Sequence, residues 1–576
     1  MGFIEFSKVE NKEYEIKDTN DGGITAEEVV EPARPQWGSQ LEFVLSAIGY
    51  SIGLGNIFRF PYLCYEHGGG AFLIPYFIAL VFLGIPLVYL EVSWGQLCGK
   101  SSVIAWNLSP ILRGASFTSI ALTIIVVIYY NIIMCIALYY FAASFTSELP
   151  WSHCNNKWGL NCSNISQNTS FGKEYLLREV LHVSDSIYDV GYPQWHLVIC
   201  LLIIWIITLG CILKGIRSSG KVVYFTALFP YVCIIVLLVR GLTLPGSLNG
   251  IKKFIVPDFS KLLEFQVWSD AFTQLFYSLG PGWGALITFG SYNKPNHNSE
   301  RDAILIPIIC GATSVLGGFT VFSLMGFLSH KRGVVMEDVL TKGPTVAFEA
   351  YSEALAQMPF QQPVFSALFF FMLIILGLDS EFGMIENLTT CICDWKPRLF
   401  RNNVMQFNSC FCAMFFCLGI FFTTNAGMYM IYLVDTYAAV LGLLLVTFLE
   451  CITVCYIYGY KNYHKKLTLS LNRSPLPIWK YLWMFVTPFL ILFTFASLMF
   501  ASGSQMEFNG YIYGSEVTLF GMLLALVVLL PIPIYAIFCI FSAPNARRSF
   551  KSKILHASEP MLEWSENSSI DKQPYI

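Results

Sequence analysis

Residues 49–63 read GYSIGLGNIFRFPYL, and Gly53 and Gly55 fall inside a run apolar enough to enter a membrane. Lipid offers no hydrogen bonds, so a membrane helix is interrupted only where neighbouring groups or a water-filled cavity satisfy the freed backbone. The Gly-x-Gly therefore reads as a built break. A second break lies in LFYSLGPGWGALITF, residues 275–289, where Gly280, Pro281 and Gly282 interrupt the sixth apolar segment. Broken helices at matching places in two halves of a chain point to a transporter's binding site. Half-helix N-termini there offer N–H groups to an anion, and unwound carbonyls offer oxygens to a cation.

The rest of the composition agrees with a membrane setting. Of 576 residues, 55% are hydrophobic and 13% charged, which excludes a soluble globular chain of this size. A span needs roughly 20 apolar residues, and the sequence holds about twelve such segments between residues 40 and 542. The fold class expected is an all-α polytopic membrane protein in a lipid bilayer. Residues 1–33 form a polar, acidic tail without an apolar signal run, expected to be unstructured; residues 34–545 form the membrane domain, and 546–576 a second polar tail. Lys214, Arg217, Lys221, Lys396, Arg398, Arg401, Lys461, Lys465, Lys466, Arg473 and the cluster from Arg547 to Lys553 share one face if both termini are cytoplasmic. Lys252, Lys253, Lys331 and Arg332 fall on the other face, in longer loops where the rule counts for less. The net charge of −3 carries no sign of a nucleic-acid partner.

Two long loops are expected outside, near residues 148–195 and 329–362. The first carries Cys154 and Cys162, beside sequons at Asn161, Asn164 and Asn168. Closely spaced cysteines in an oxidising compartment favour a disulfide, and the sequons favour glycosylation. The remaining cysteines of the 17 are mostly scattered through apolar segments, where a thiol behaves as a small hydrophobe.

Asp379 and Glu381, in FFFMLIILGLDSEFGMIE, are acids within a membrane segment. Each costs on the order of 3 kcal/mol to insert, which makes it a functional candidate. Asp379 with Ser380 suits a hard cation that prefers oxygen ligands. Structural pairing with a distant Arg or Lys is the competing reading. Asn56, Gln274 and Ser278 are neutral polar groups beside the breaks, a type that also joins membrane helices to one another. Arg59 and Asp435 need partners, and a mutual ion pair closing the outer path is expected. The eight histidines show no metal-ligand spacing and no nucleophile motif stands out, so an enzyme is not expected.

The stretch WGSQLEFVLSAIGYSIGLGNIFRFPYLCYEHGGGAFLIPYF, together with SYNKPNHNSERDA, LGLDS and the Cys pair with its sequons, closely resembles the neurotransmitter:sodium symporters. The resemblance covers about residues 34 to 545. It implies the leucine-transporter fold, with two inverted five-helix repeats, broken helices 1 and 6, and two further helices. It implies one sodium held by Gly49, Ile52, Leu376, Asp379 and Ser380, and a second by Ser51, Asn56, Ser278 and the substrate carboxylate. Chloride is implied at Tyr76, Gln274, Ser278 and Ser314. Substrate is implied against Tyr50, Gly55, Val126, Tyr130, Tyr277, Gly280, Trp283 and Ser380. Arg59 with Asp435, lidded by Tyr277, matches the outer gate, and Arg34 with Asp394 the inner one.

One position departs from the family pattern. Where the family has an Asn touching both the first sodium and chloride, this chain has Cys310, and a neutral thiol is a poor ligand for a hard cation. That substitution puts both ions in question, while Ser314 is retained. Gly53 stands where monoamine transporters place an aspartate, so the expected substrate brings its own carboxylate. Trp283 and Met384 crowd the side-chain end, which favours glycine or a small relative, with GABA, betaine and proline as alternatives. The expected function is sodium-coupled symport at the plasma membrane. A non-transporting receptor or sensor of the same fold is the competitor from another class, and a channel is disfavoured by the residues at both gates.

Overall fold

The structure, a computed structural model, describes residues 6–9, 12–18, 24–28, 34–155, 170–336, 347–501, 506–542 and 549–561. Among these, ten helices are long and apolar enough to cross a membrane: Gly70–Cys98, Pro110–Ala143, Trp195–Ile212, Ser218–Leu242, Ser299–Arg332, Gln362–Trp395, Pro397–Thr423, Gly427–Ile457, Ile478–Phe500 and Ser515–Ser542. The first span is a pair, Gln40–Ser51 and Leu54–Glu66, bent by 58°. The sixth is also a pair, Phe265–Leu279 and Ala285–Ser291. Among the described residues the apolar spans number ten, or eleven with the bent first pair, against the twelve or so expected, and the interrupted sixth segment lies between the fifth and seventh.

Local sequence sets the ends of these helices. Ser39 caps the first span by accepting from the Glu42 amide at 3.2 Å, and Glu42 sits in the first turn, where a negative charge suits the helix dipole. Asn298 caps the seventh span, with Glu300 and Asp302 in its first turn, and Gly333 ends it at a φ of +68°. Glu300 also accepts from Arg473 at 2.7 Å, the Leu476 amide at 3.0 Å and the Trp479 indole at 2.7 Å, which ties the sixth-to-seventh connection to the tenth-to-eleventh.

Packing at the centre relies on missing side chains. A Cβ on Gly95 would lie 1.8 Å from the Ile287 carbonyl oxygen, and one on Gly290 would lie 2.3 Å from that of Val92. The second span and the second half of the sixth therefore meet backbone to backbone, as small residues permit in membranes. The two long loops are also joined, since the Trp151 indole donates to Ser352 O at 3.0 Å and Ser170 Oγ to Glu353 at 2.6 Å.

The first tail departs from the expectation of an unstructured segment. Strands β1 (Phe6–Val9), β2 (Lys12–Asp18) and β3 (Ile24–Glu28) form an antiparallel sheet in that order. The KEYEIKD of β2 alternates charged residues with Tyr14 and Ile16, the period-two pattern of a strand, which the segment's overall polarity obscures. Beyond the last span, helix Phe550–Ser558 is followed by Met561, whose amide donates to Asn107 O at 3.0 Å. Cys154 is disulfide-bonded, and fifteen cysteines carry free thiols. Cys162 and the sequons at Asn161, Asn164 and Asn168 lie outside the described residues.

The Gly95 contact is testable. Gly95→Ala is expected to destabilise the chain by about 1–3 kcal/mol through overpacking, read as a lower melting temperature in detergent; an unchanged melting curve would contradict backbone contact there.

Candidate functional site

Each break exposes backbone groups that would otherwise pair within a helix, and side chains from other spans take them up. At the first, Ser380 Oγ donates to Tyr50 O at 3.2 Å, Cys310 Sγ to Ser51 O at 3.3 Å and Gln274 Nε2 to Gly55 O at 3.1 Å. At the second, Gly280 turns the chain at a φ of +64°, a left-handed conformation that favours glycine. Beyond it the Gly282 amide donates to Glu91 at 2.6 Å, Ser119 Oγ donates to Gly282 O at 2.7 Å and Asn387 Nδ2 to Trp283 O at 2.9 Å. The Tyr50 hydroxyl donates to Gly280 O at 3.0 Å and so joins the two breaks directly.

Beside the first break is a cavity of about 10 Å³, close to the smallest space that holds a water or a bare ion. Gly49, Ile52, Leu376 and Asp379 line it, with Thr226 and Thr313. Asp379 is 4% exposed, and its Oδ1 has no hydrogen-bond partner. A Cβ at Gly49 would lie 2.6 Å from Asp379 Oδ2, so the glycine is what lets the carboxylate reach the first span. An unpartnered carboxylate oxygen at a cavity of this size is one donor of the kind a hard cation prefers, although Ile48, Ala227, Pro230 and Ile234 make much of the lining apolar.

The expected substrate residues adjoin this cavity. A Cβ at Gly53 would lie 2.9 Å from Ser380 Oγ and 3.5 Å from the Tyr130 hydroxyl, and one at Gly55 would lie 3.7 Å from Tyr277 O. No side chain, least of all an aspartate, fits at Gly53 without displacing Ser380. Tyr130 and Val126 share a face of the third span with Ser119, at helical spacing, and that face carries the bond to Gly282 O. Trp283 is 9% and Met384 5% exposed, which leaves little room at the far end.

A second polar cluster surrounds Asn56. Its Nδ2 lies 2.8 Å from Ser278 Oγ, 2.9 Å from Ser314 Oγ and 3.2 Å from Cys310 Sγ. Ser278 Oγ is 3.0 Å from Cys310 Sγ, and the Tyr76 hydroxyl donates to Ser314 at 3.1 Å. Tyr76, Ser278 and Ser314 are thus brought together as expected. Gln274, one turn before Ser278, bonds Gly55 O and accepts from Arg59, each at 3.1 Å.

The two faces of the molecule differ. On the Arg34 face, Asp394 pairs with Arg34 at 3.0 Å and with Arg401 at 2.8 Å, and also accepts from the Ser101 amide at 2.7 Å. Arg34 further donates to Ser291 Oγ at 2.7 Å and lies 4.7 Å over the Tyr292 ring, while the Trp37 indole donates to Phe289 O at 3.0 Å. On the opposite face the expected ion pair of Arg59 with Asp435 is not formed. Arg59 stacks 4.2 Å over the Tyr277 ring and bonds Gln274, while Asp435 accepts from Tyr129 at 2.7 Å and from Tyr277 at 3.5 Å. Tyr277 stands between the two charges, its ring holding one and its hydroxyl the other.

Several of these residues escaped the sequence reading. Glu91 carries the signal that marked Asp379, an acid inside an apolar segment, and that rule finds it. Glu381 accepts from Asn131 Nδ2 at 2.8 Å and is fully buried, so it turns to the third span rather than to the breaks. Arg401 and Tyr129 carry no local signal, since only the fold places them at Asp394 and Asp435.

A chain with many apolar spans and two interrupted helices, with a small cavity and a buried carboxylate beside the first break, has the architecture of a secondary transporter. The sodium:neurotransmitter symporter family model matches residues 34–543, and the chain belongs to that family. It is 40% identical over 570 residues to the sodium- and chloride-dependent glycine transporter 1 of Xenopus laevis, covering 92% of this chain and 88% of that one. It is also 40% identical over 549 residues to the sodium- and chloride-dependent GABA transporter 2 of Rattus norvegicus, covering 92% and 91%. A crystal structure of MhsT in complex with L-phenylalanine superposes with a TM-score of 0.66 at 23% identity, covering 81% of this chain and all of that one. The leucine-transporter-like fold is thereby shown.

The seal on the Arg34 face gives a prediction. Asp394→Asn leaves two guanidinium groups without their anion, a loss on the order of 3–5 kcal/mol for a buried pair. A cysteine introduced as Ser291→Cys is then expected to react several-fold faster with a maleimide applied from that face than it does with Asp394 intact; equal rates would show that Asp394 does not hold the seal.

Proposed function

We propose that the chain is a sodium-coupled symporter that carries a small carboxylate-bearing amino acid, glycine or a close relative, by alternating access. The observation that carries this reading is the juxtaposition at the first break of a cavity bearing an unpartnered Asp379 oxygen and, beside it, the close-fitted cradle of Tyr50, Gly53, Gly55, Tyr130, Tyr277, Gly280 and Ser380. Sodium is assigned to Gly49, Ile52, Leu376, Asp379 and Ser380. The substrate carboxylate is assigned to the backbone N–H groups of the break and the Tyr130 hydroxyl, since Gly53 brings no acid of its own. Val126 and Trp283 complete the wall.

The gates support the same reading. The Arg34 face is held by the Asp394 ion pairs and the opposite face by Tyr277 bridging Arg59 and Asp435, so the two faces are closed by different contacts, as two separately working gates require. The Arg34 face is assigned to the cytoplasm, with both termini, on the strength of its Lys and Arg loops. The loops near residues 148–195 and 329–362 then lie outside the plasma membrane, with the Cys154 disulfide in an oxidising setting. Coupling to sodium is worth having there, because one charge moving through 100 mV supplies about 2.3 kcal/mol and about 1.4 kcal/mol sustains a tenfold ratio.

The test is uptake of labelled glycine by cells expressing the chain, with sodium present or replaced by choline. Sodium-dependent uptake is expected, and Asp379→Asn is expected to raise the sodium requirement tenfold or more. Absence of uptake for glycine and for a panel of amino acids, with the chain confirmed at the surface, would instead favour a receptor or sensor of this fold.

A further inference from the structure

The two ion sites that the sequence suggests are built differently, and the difference centres on Cys310. At the Asp379 site a carboxyl group has an oxygen without a partner, next to a small cavity. At the other site the groups expected to hold a cation converge on sulfur instead. Cys310 Sγ lies 3.3 Å from Ser51 O, 3.0 Å from Ser278 Oγ and 3.2 Å from Asn56 Nδ2, and it is 1% exposed. The Ser51 carbonyl, which a cation would use, accepts the thiol proton. None of Asn56, Tyr76, Ser278, Cys310 and Ser314 carries a charge; their side chains bond one another, and Cys310 and Ser314 donate to the backbone carbonyls of Ser51 and Cys310. The single polar atom in the cluster without a partner is the neutral Asn56 Oδ1.

We propose that this chain couples transport to a single sodium, at the Asp379 site, and needs no chloride, because Cys310 closes the neighbouring ion site into a neutral hydrogen-bonded plug. A hard cation prefers oxygen, and a neutral thiol both fails as its ligand and occupies the carbonyl that remains. Chloride fails for a linked reason. A buried ion must be paired, and without a cation beside it chloride would face the substrate carboxylate uncompensated. Gln274, expected among the chloride ligands, is already committed to Gly55 O and Arg59. This inference rests on the transport reading and sharpens it: with a single sodium per cycle, the attainable substrate ratio rises with the first power of the sodium gradient.

Two measurements on the full-length chain test it. In cells, glycine uptake is expected to rise hyperbolically with sodium, with a Hill coefficient of about 1, and to be unchanged when gluconate replaces chloride. Cys310→Asn restores an oxygen and is expected to make the sodium curve sigmoidal and uptake chloride-dependent. Separately, equilibrium binding of radioactive sodium to the purified chain in nanodiscs is expected to saturate at a single ion per chain, with no effect of chloride. Sigmoidal, chloride-dependent uptake in the unmodified chain, or binding of a second sodium, would overturn the inference. If no uptake is seen, the transport reading is what fails, and the binding stoichiometry still decides the role of Cys310.

Discussion

The constraint on which this molecule depends is that lipid cannot hydrogen-bond a peptide group. Interrupting two helices in the middle of a membrane frees carbonyls and amides that must all find partners within the protein. The surrounding spans are arranged to supply them. Glu91, Ser119 and Asn387 attend the second break, and Gln274, Cys310 and Ser380 attend the first. Several buried polar atoms stay unpaired even so, Glu91 Oε2 and Asn56 Oδ1 among them; the Asp379 oxygen differs in belonging to a carboxylate that lines a cavity.

The same satisfaction explains why the two faces are not equivalent. On one side two arginines share the Asp394 carboxylate, and the backbone of Gly99 also binds Arg34. On the other, an aromatic ring separates the opposite charges and each finds a neutral partner. A charge pair that is partly buried is stabilised when its geometry is good and its remaining donors are met, as at Asp394. Arg59 and Asp435 are each satisfied without the other, so little is lost by keeping them apart.

Much of this was legible in the sequence, for physical reasons. Gly-x-Gly and Gly-Pro-Gly inside apolar runs announce the breaks, and an acid in LGLDS announces the residue that lines the cavity, because both are costly in a membrane unless used. Segment length and composition sufficed for an all-α polytopic membrane protein, while the inverted-repeat fold came from the family resemblance. What could not be read were relations across the fold. Arg59 and Asp435 are the right charges at opposite ends of the chain, but only the position of Tyr277 between them shows that they do not meet. Arg401 follows a span end and looks like any basic loop residue, yet it doubles the seal. In the first tail, abundant charge masked the alternation of Tyr14 and Ile16 that puts β2 in a sheet.

The backbone contact between the second span and the later half of the sixth carries a mechanical consequence. Side chains between two helices act as springs, since rotamers can yield, but at Gly95 and Gly290 nothing lies between the chains. The two elements must tilt as one stiff lever. Its central end is fixed to Glu91 through Gly282, and its other end bears Ser291 and Tyr292 against Arg34. A small displacement at the second break is therefore delivered undamped toward the Arg34–Asp394 contact.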